Sequence, residues 1–369
     1  MEEVRPQART QAFPIQQTLK RGFLSIGLRA AFVALGVFLL LWQPSAPWIE
    51  TAYSNGAYPQ WERVAFAIAN PVPWSMGDVA GLIGVAAIAW RVAGFFRNRK
   101  RTLAMLAIAL LDVAAILGLY AAWFELSWGW NYARAPVETR VAFDAKRVTP
   151  QAADALRTRA MHEMNVLAPL AHAHAKDALN LATLQRYWLP VVQRAGDDWT
   201  PLAGPAKPTI TDPFMQATGT SGYINPLSLT VQTASDLLWF ERPFDMAHEW
   251  THVAAYARED EANYAAIVTC LRSNDPAIRY SGWFELFLYL PQKTRYRRSD
   301  FVPLVWQDFA AIRRRDARHI NVLLAHWTWR TYNVYLKSNR IASGIENYNE
   351  VTRLILGVPL DREGLPVAK

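Results

Sequence analysis

Three stretches of this chain are too long and too apolar for the surface of a water-soluble fold. They are residues 23–42 (FLSIGLRAAFVALGVFLLLW), about 74–95, and 103–124 (LAMLAIALLDVAAILGLYAAWF). A helix needs about 20 residues to cross the hydrocarbon core of a bilayer, so each stretch is expected to span a membrane. The middle one contains Asp78 and is flanked by Gly and Pro. A cleaved signal peptide would have a shorter apolar core and a small-residue cleavage site. The first stretch is longer and runs into QPSAPW. The expected organisation is a cytoplasmic N-terminal arm (1–22), a three-helix transmembrane region (23–124) and an extracytoplasmic domain (125–369).

Charge placement gives the orientation. Of 39 Lys/Arg and 31 Asp/Glu, residues 1–102 hold 11 and 5, leaving a nearly balanced 28 and 26 for the rest. The basic excess lies beside apolar stretches, which speaks for membrane topology and against a nucleic-acid partner. Arg5, Arg9, Lys20 and Arg21 precede the first span, and Arg91, Arg97, Arg99, Lys100 and Arg101 lie around the second loop. The first loop holds only Arg63, beside Glu50 and Glu62. Positive loops stay in the cytoplasm, so the N-terminus is expected inside and everything after about residue 124 outside. Trp42, Trp48, Tyr53, Trp61 and Trp74, then Trp123, Trp128, Trp130 and Tyr132, sit where interfacial anchors belong. Arg29 and Asp112 fall inside spans at similar depth and read as a structural pair, with a snorkelling Arg29 or a buried relay as alternatives.

The outer domain reads as mainly α (α+β). Thr149-Pro150 opens a helix running to about Ala175, and a second helix covers about 181–195. Residues 200–235 are rich in Pro, Gly and Thr, with β-like runs at 208–211 and 227–231 that suggest a small edge sheet. The pattern is helical again from Phe244, with breaks at Pro276, Pro291 and Pro303. The run IRRRDARH (312–319) reads as a solvated helix face. Cys270, the single cysteine, excludes a disulfide scaffold.

Chemistry concentrates in PFDMAHEWTHVAAYAREDEANYAAIVTC. His248, Glu249 and His252 form His-Glu-x-x-His. On a helix, residues i and i+4 share a face, so two imidazoles one turn apart can hold one Zn²⁺ at about 2.0–2.1 Å. Glu249 can then act as general base towards a metal-activated water. A catalytic site needs a third protein ligand. Glu259 is preferred, with Asn263 on the same helix face in a supporting role. Glu261 lies about 200° away on a helix, and it remains an alternative with Asp260 or a distant residue. The short gap after His252 demands a sharp turn near Ala257 that no glycine marks. Tyr280, Arg279 and His319 are candidates, by residue type alone, for stabilising an oxyanion. The run 227–231 could pair with an extended substrate. His172 and His174 face apart on a helix, and His162 and His326 are isolated.

His-Glu-x-x-His followed by Glu-x-x-Ala-Asn resembles the gluzincin metallopeptidases, whose third zinc ligand is a glutamate on the next helix. More closely, the chain resembles a bacterial family of membrane proteins of unknown function. The pieces that carry this are WGWNYAR (128–134), GYINP (222–226), HEWTHVAAYAREDEAN, RYSGW (279–283) and SGIENYNEVTRLI (343–355). The resemblance implies a predicted peptidase with His248, His252 and Glu259 as zinc ligands and Glu249 as base. The sequence departs from it at Val253-Ala254-Ala255, where Gln and Gly are expected. Two functions follow as expectations. One is a membrane-anchored zinc metallopeptidase of the bacterial cytoplasmic membrane, acting on a peptide or protein of the envelope. The other is a non-catalytic zinc-containing sensor or assembly protein.

Overall fold

The computed structural model describes residues 13–98, 102–177, 179–291, 296–339, 341 and 350–369. Most of the N-terminal arm, the charges Arg5, Arg9, Arg99, Lys100 and Arg101, and the start of the 343–355 piece lie outside the described residues. The helices that matter here are α1 (Phe13–Leu41), α2 (Tyr58–Ala69), α3 (Met76–Arg97), α4 (Leu103–Ser127), α5 (Pro150–Ala173), α6 (Leu181–Arg194), α7 (Asp212–Thr218), α8 (Arg242–Val253), α9 (Glu259–Arg272), α10 (Pro276–Tyr289), α11 (Pro303–His319), α12 (Val322–Ser338) and α13 (Val351–Gly357). Strands β1 (Gly222–Asn225) and β2 (Thr230–Thr233) form one antiparallel pair, with Gly222 opposite Thr233. The protein is thus mainly helical with a small sheet, as the sequence suggests.

The expected helix boundaries have visible causes. The Thr149 hydroxyl accepts the amide of Ala152, capping α5 with Pro150 in its first turn. Asn180 caps α6 in the same way. Pro276 and Pro303 open α10 and α11, and α10 ends before Pro291. The expected strand at 208–211 is a turn into α7. The run 227–231 contributes only its end to β2, and β1 arises in GYIN, which was not expected to be a strand.

The chain packs as two compact units. One comprises the residues up to Gln43 together with Ala80–Glu125; the other comprises Pro44–Val79 and Leu126–Lys369. Of the region 23–124 expected to be transmembrane, residues 44–79 belong to the second unit, where Ile49, Tyr53, Tyr58, Ala65 and Ala69 are buried. α3 and α4 are each long and apolar enough to cross a membrane. The stretch Ser25–Leu41 of α1 reaches that standard only when joined to the helical stretch Ala46–Ala69, giving two or three candidate spans among the described residues.

In the first unit α1 and α4 cross at Gly36 and Gly118. A Cβ on Gly36 would lie 2.5 Å from the Gly118 carbonyl oxygen, so only glycine permits this approach. Arg29 and Asp112 are paired, as expected, and Arg91 Nε adds a third member 3.4 Å from Asp112.

In the second unit α9 is the central helix. It is buried from Glu259 through Cys270 and packs against α6, α8, α10 and α13. Small residues allow this crowding: Ala262, Ala265 and Ala266 lie in α9, and a Cβ on Gly282 of α10 would come within 2.6 Å of the Cys270 Cβ.

Candidate metal site

α8 is buried from Pro243 to Val253, with His248 and His252 on one face, a turn apart. The chain then reverses within six residues. Ala255 adopts φ 68°, the left-handed conformation usually given to glycine, and the amides of Ala254, Ala255 and Tyr256 bond back to Trp250, His252 and Thr251 carbonyls. An alanine in that conformation costs about 1–2 kcal/mol; here it is fully buried and fixed by those bonds. The reversal starts α9 at Glu259 and returns its carboxylate to the histidine face of α8.

The three side chains converge. His248 Nε2 and His252 Nε2 are 3.0 Å apart, and Glu259 Oε2 lies 3.3 Å from the first and 3.5 Å from the second. Tetrahedral ligands bonded at about 2.0–2.1 Å to one ion stand about 3.3 Å from each other, so these donors match one zinc ion. His252 Nδ1 meets the Tyr256 carbonyl at 2.7 Å, which puts the ring proton on Nδ1 and leaves Nε2 for the shared face. Asn263, one turn after Glu259, lies beside His248 and favours its protonated form. Glu261 is turned away: it accepts the Val137 amide at 2.9 Å and faces Arg140 and Arg258.

The charges are coupled. Burial pushes the His248 pKa down against the pull of Glu259. Burial acts likewise on His252, but Glu259 outweighs it and raises that imidazole to about 9. Glu259 itself is held well below the ordinary carboxylate range: burial opposes ionisation, but His252 and then His248 outweigh it.

Glu249 is 2% exposed, and its Oε2 has no hydrogen-bond partner among the described residues. Burial pushes its pKa to about 8, with Glu259 and Asp245 adding to the rise and His252 opposing it. Its carboxylate lies against the glycine that opens β1: a Cβ on Gly222 would stand 2.5 Å from Glu249 Oε1, so a side chain there would displace it. In the run 227–231, expected to offer its edge to a substrate, the Val231 carbonyl accepts the Lys207 amide (2.8 Å), while β1 is the strand beside Glu249.

A layer of residues that the motif does not reveal holds this geometry. Trp128 Nε1 donates to the His252 carbonyl (3.0 Å) and the Tyr58 hydroxyl donates to the Val253 carbonyl (2.7 Å), satisfying the end of α8. Tyr256 is covered by Arg134 and Arg140, whose guanidinium carbons lie 4.8 and 5.0 Å from its ring centre. Arg134 also binds Glu50 (2.9 Å) and Asp197 (3.0 Å). Burial raises Asp197 to about 6, against the pull of Arg134. Tyr332 of α12 donates its hydroxyl to Glu259 Oε1 and stacks on Tyr335, which meets Tyr132. Trp128, Trp130, Tyr132 and Tyr53, expected as membrane anchors, are instead buried in the second unit; Trp42, Trp48, Trp74 and Trp123 are exposed as anchors would be.

The expected oxyanion donors are engaged elsewhere. Tyr280 donates to Asp308 (2.5 Å), which also meets His172 (3.0 Å); Arg279 faces Glu163 and His319 faces Asp236.

One turn before Glu249, Asp245 shares a buried acidic region with Glu241 and Glu285. Burial, then Glu241, raises Asp245 to about 7; burial, then Asp245, holds Glu285 well above its usual range. With its folded-state pKa above the unfolded value of 3.8, the stability that Asp245 contributes is fully present below that value and is lost as pH rises through about 7. Asp245→Asn is therefore expected to gain on the parent by on the order of 2 kcal/mol between about pH 5 and pH 8. Thermal unfolding in nanodiscs at the two pH values checks this.

Residues 53–356 match the family described as Protein of unknown function (DUF3810). The chain belongs to the DUF3810 family. The match takes in the described site, from Tyr58 through Tyr332. Neither a curated protein nor a solved structure matches this DUF3810 chain significantly. The pieces WGWNYAR and GYINP acquire roles in it: the first supplies Trp128, Tyr132 and Arg134 to the brace, and the second supplies the glycine beside Glu249.

Proposed function

We propose that this DUF3810 protein is a membrane-anchored zinc metallopeptidase of the gluzincin type. The reading rests foremost on one observation: three donors on two helices stand 3.0–3.5 Å apart around a common point, with a buried, half-unpartnered carboxylate on the next residue. Histidine nitrogens and one carboxylate oxygen suit zinc, and three ligands leave a fourth position open. His248, His252 and Glu259 would hold the ion. A zinc ion so held supplies Lewis acidity, polarising a carbonyl and making water acidic near neutral pH.

The chain's own groups do the rest. The Tyr256 carbonyl orients His252, and Tyr332 engages the Glu259 oxygen that does not face the histidines. Glu249 takes a proton from water at its carboxylate and can pass it to the departing amine. Its high pKa in the bare protein reflects burial beside other acids; a nearby dication stabilises the ionised form and returns it to the range of a base. β1, at Gly222, lies where an extended peptide could add a strand beside Glu249. The substrate class is a peptide or protein of the bacterial envelope. The layout is multi-pass in the cytoplasmic membrane, N-terminus inside and second unit outside, from the distribution of Lys and Arg. Incubation of the zinc-loaded protein with an unbiased peptide library tests the reading. Cleavage that a chelator abolishes and zinc restores is expected; no cleavage by protein carrying one zinc would favour a non-catalytic role.

A further inference from the structure

α12 has two contrasting faces. Tyr332 and Leu336 turn inward, Tyr332 to Glu259. Leu323, Trp327 and Val334 recur at helical spacing on the opposite face. With Val322 at the helix start, and with Ile210 and Phe214 at α7, they are between 48% and 79% exposed. The two helices join where the Asn321 amide donates to the Ala217 carbonyl at 2.9 Å. Basic residues flank and interleave the stripe. Arg313, Arg314 and Arg318 are exposed on the helix before it, and Arg330, 5.8 Å from the Trp327 ring centre, and Lys337 lie within the outward stripe. Of the nearby acids, Asp316 is taken by Arg315 and Asp236 by His319. A stripe of Leu, Trp and Val interleaved with Arg and Lys is the composition of a helix that lies in a bilayer interface, where long basic side chains bury their stems and leave their charge among headgroups.

A second observation ties this surface to the membrane. Asp78, in the first turn of the apolar helix α3, accepts the Ile210 amide at 2.9 Å. The Pro208 carbonyl takes the Ser75 amide, and Lys207 Nζ donates to the Asn70 and Val72 carbonyls at 2.6 and 2.7 Å. Ile210 and the α7 surface after it are thus bonded to the point where the chain enters a candidate span.

We propose that the α7–α12 surface is an interfacial membrane-docking face that seats Ile210, Phe214, Leu323 and Trp327 in the headgroup–acyl boundary of an anionic bilayer, with the α11 arginines on lipid phosphate. This does not depend on the metal or on hydrolysis. It does join the docking face to the site through one helix, since α12 also carries Tyr332.

The test uses the full chain in nanodiscs of phosphatidylglycerol and phosphatidylethanolamine. Spin labels go on Leu323→Cys, Trp327→Cys and, as a water-exposed reference, Arg159→Cys; Cys270 is buried and is replaced by Ala. Oxygen concentrates in the acyl region and a nickel chelate stays in water, so the oxygen-to-nickel collision ratio at 323 and 327 should exceed that at 159 by about tenfold. That excess should fall at least about twofold in phosphatidylcholine, or with Arg313, Arg314 and Arg318 changed to Gln. A ratio at 323 and 327 equal to that at 159 overturns the proposal. So does exclusion of both reagents, which would mean that protein covers the face.

Discussion

Glu249→Gln should retain one zinc per chain and lose hydrolysis by about 10²–10⁴-fold in kcat, the usual worth of a positioned general base. The substitution is nearly isosteric, and Glu249 is not among the three converging donors, so metal affinity should hardly change. Gln can still accept a hydrogen bond from water but cannot take its proton. Burial makes the experiment clean: at 2% exposure no solvent base has room to substitute. A Glu249→Gln protein that binds zinc and cleaves at the parental rate would remove the proposed mechanism while leaving the metal site standing. Loss of zinc together with activity would show that Glu249 itself is a ligand.

The ligand series should show a graded loss. His248→Ala, His252→Ala and Glu259→Ala each remove one of three donors and should weaken zinc binding by more than about 100-fold, beyond the 10–100-fold typical of residues one layer further out. Tyr332→Phe removes only the hydroxyl on Glu259 Oε1 and belongs in that smaller class. Glu261→Gln should leave affinity near parental, because its carboxylate serves the Val137 amide and Arg140. Competition with a fluorescent chelator gives the constants. Equal losses for Glu259→Ala and Glu261→Gln would point to misfolding instead of ligation, and circular dichroism would register it.

The parts of the site readable from sequence are the local ones. His248 and His252 are one helical turn apart by spacing alone, and Glu259 and Asn263 share a face for the same reason. Preferring Glu259 to Glu261 needed only the helical angle; the structure sets Glu259 beside His248 and His252 and Glu261 on the Val137 amide. The turn between the helices was harder to foresee, because glycine is its usual signal and here Ala255 takes the left-handed conformation. What sequence cannot show is partnership at a distance. Tyr332 lies 73 residues from Glu259 and belongs to no motif. Trp128 and Tyr132 follow an apolar span, where an aromatic residue suits an interface as well as a core. Only packing shows them beneath α8 and α12. Residues 44–79 mislead similarly: a loop between spans and a segment folded into the next domain have the same composition.

The brace also explains why a buried, charge-dense site can persist. Glu259 and His252 offset each other, Arg134 lies between Glu50 and Asp197, and Glu261 faces Arg140 and Arg258. Buried charges are tolerated when they are paired and hydrogen-bonded. Glu249 Oε2 and the Asp197 oxygens are buried without a hydrogen-bond partner among the described residues, but Asp197 has Arg134 as an ion-pair partner at 3.0 Å.

Zinc K-edge X-ray absorption on the intact protein, loaded with one equivalent of zinc, tests the central claim most directly. Two imidazole nitrogens and one carboxylate oxygen at about 2.0–2.1 Å, with one further light atom from solvent, are the expected shell, and the imidazole signal should halve in His252→Ala. Failure to hold one equivalent of zinc, or a six-oxygen shell without imidazole, would contradict it.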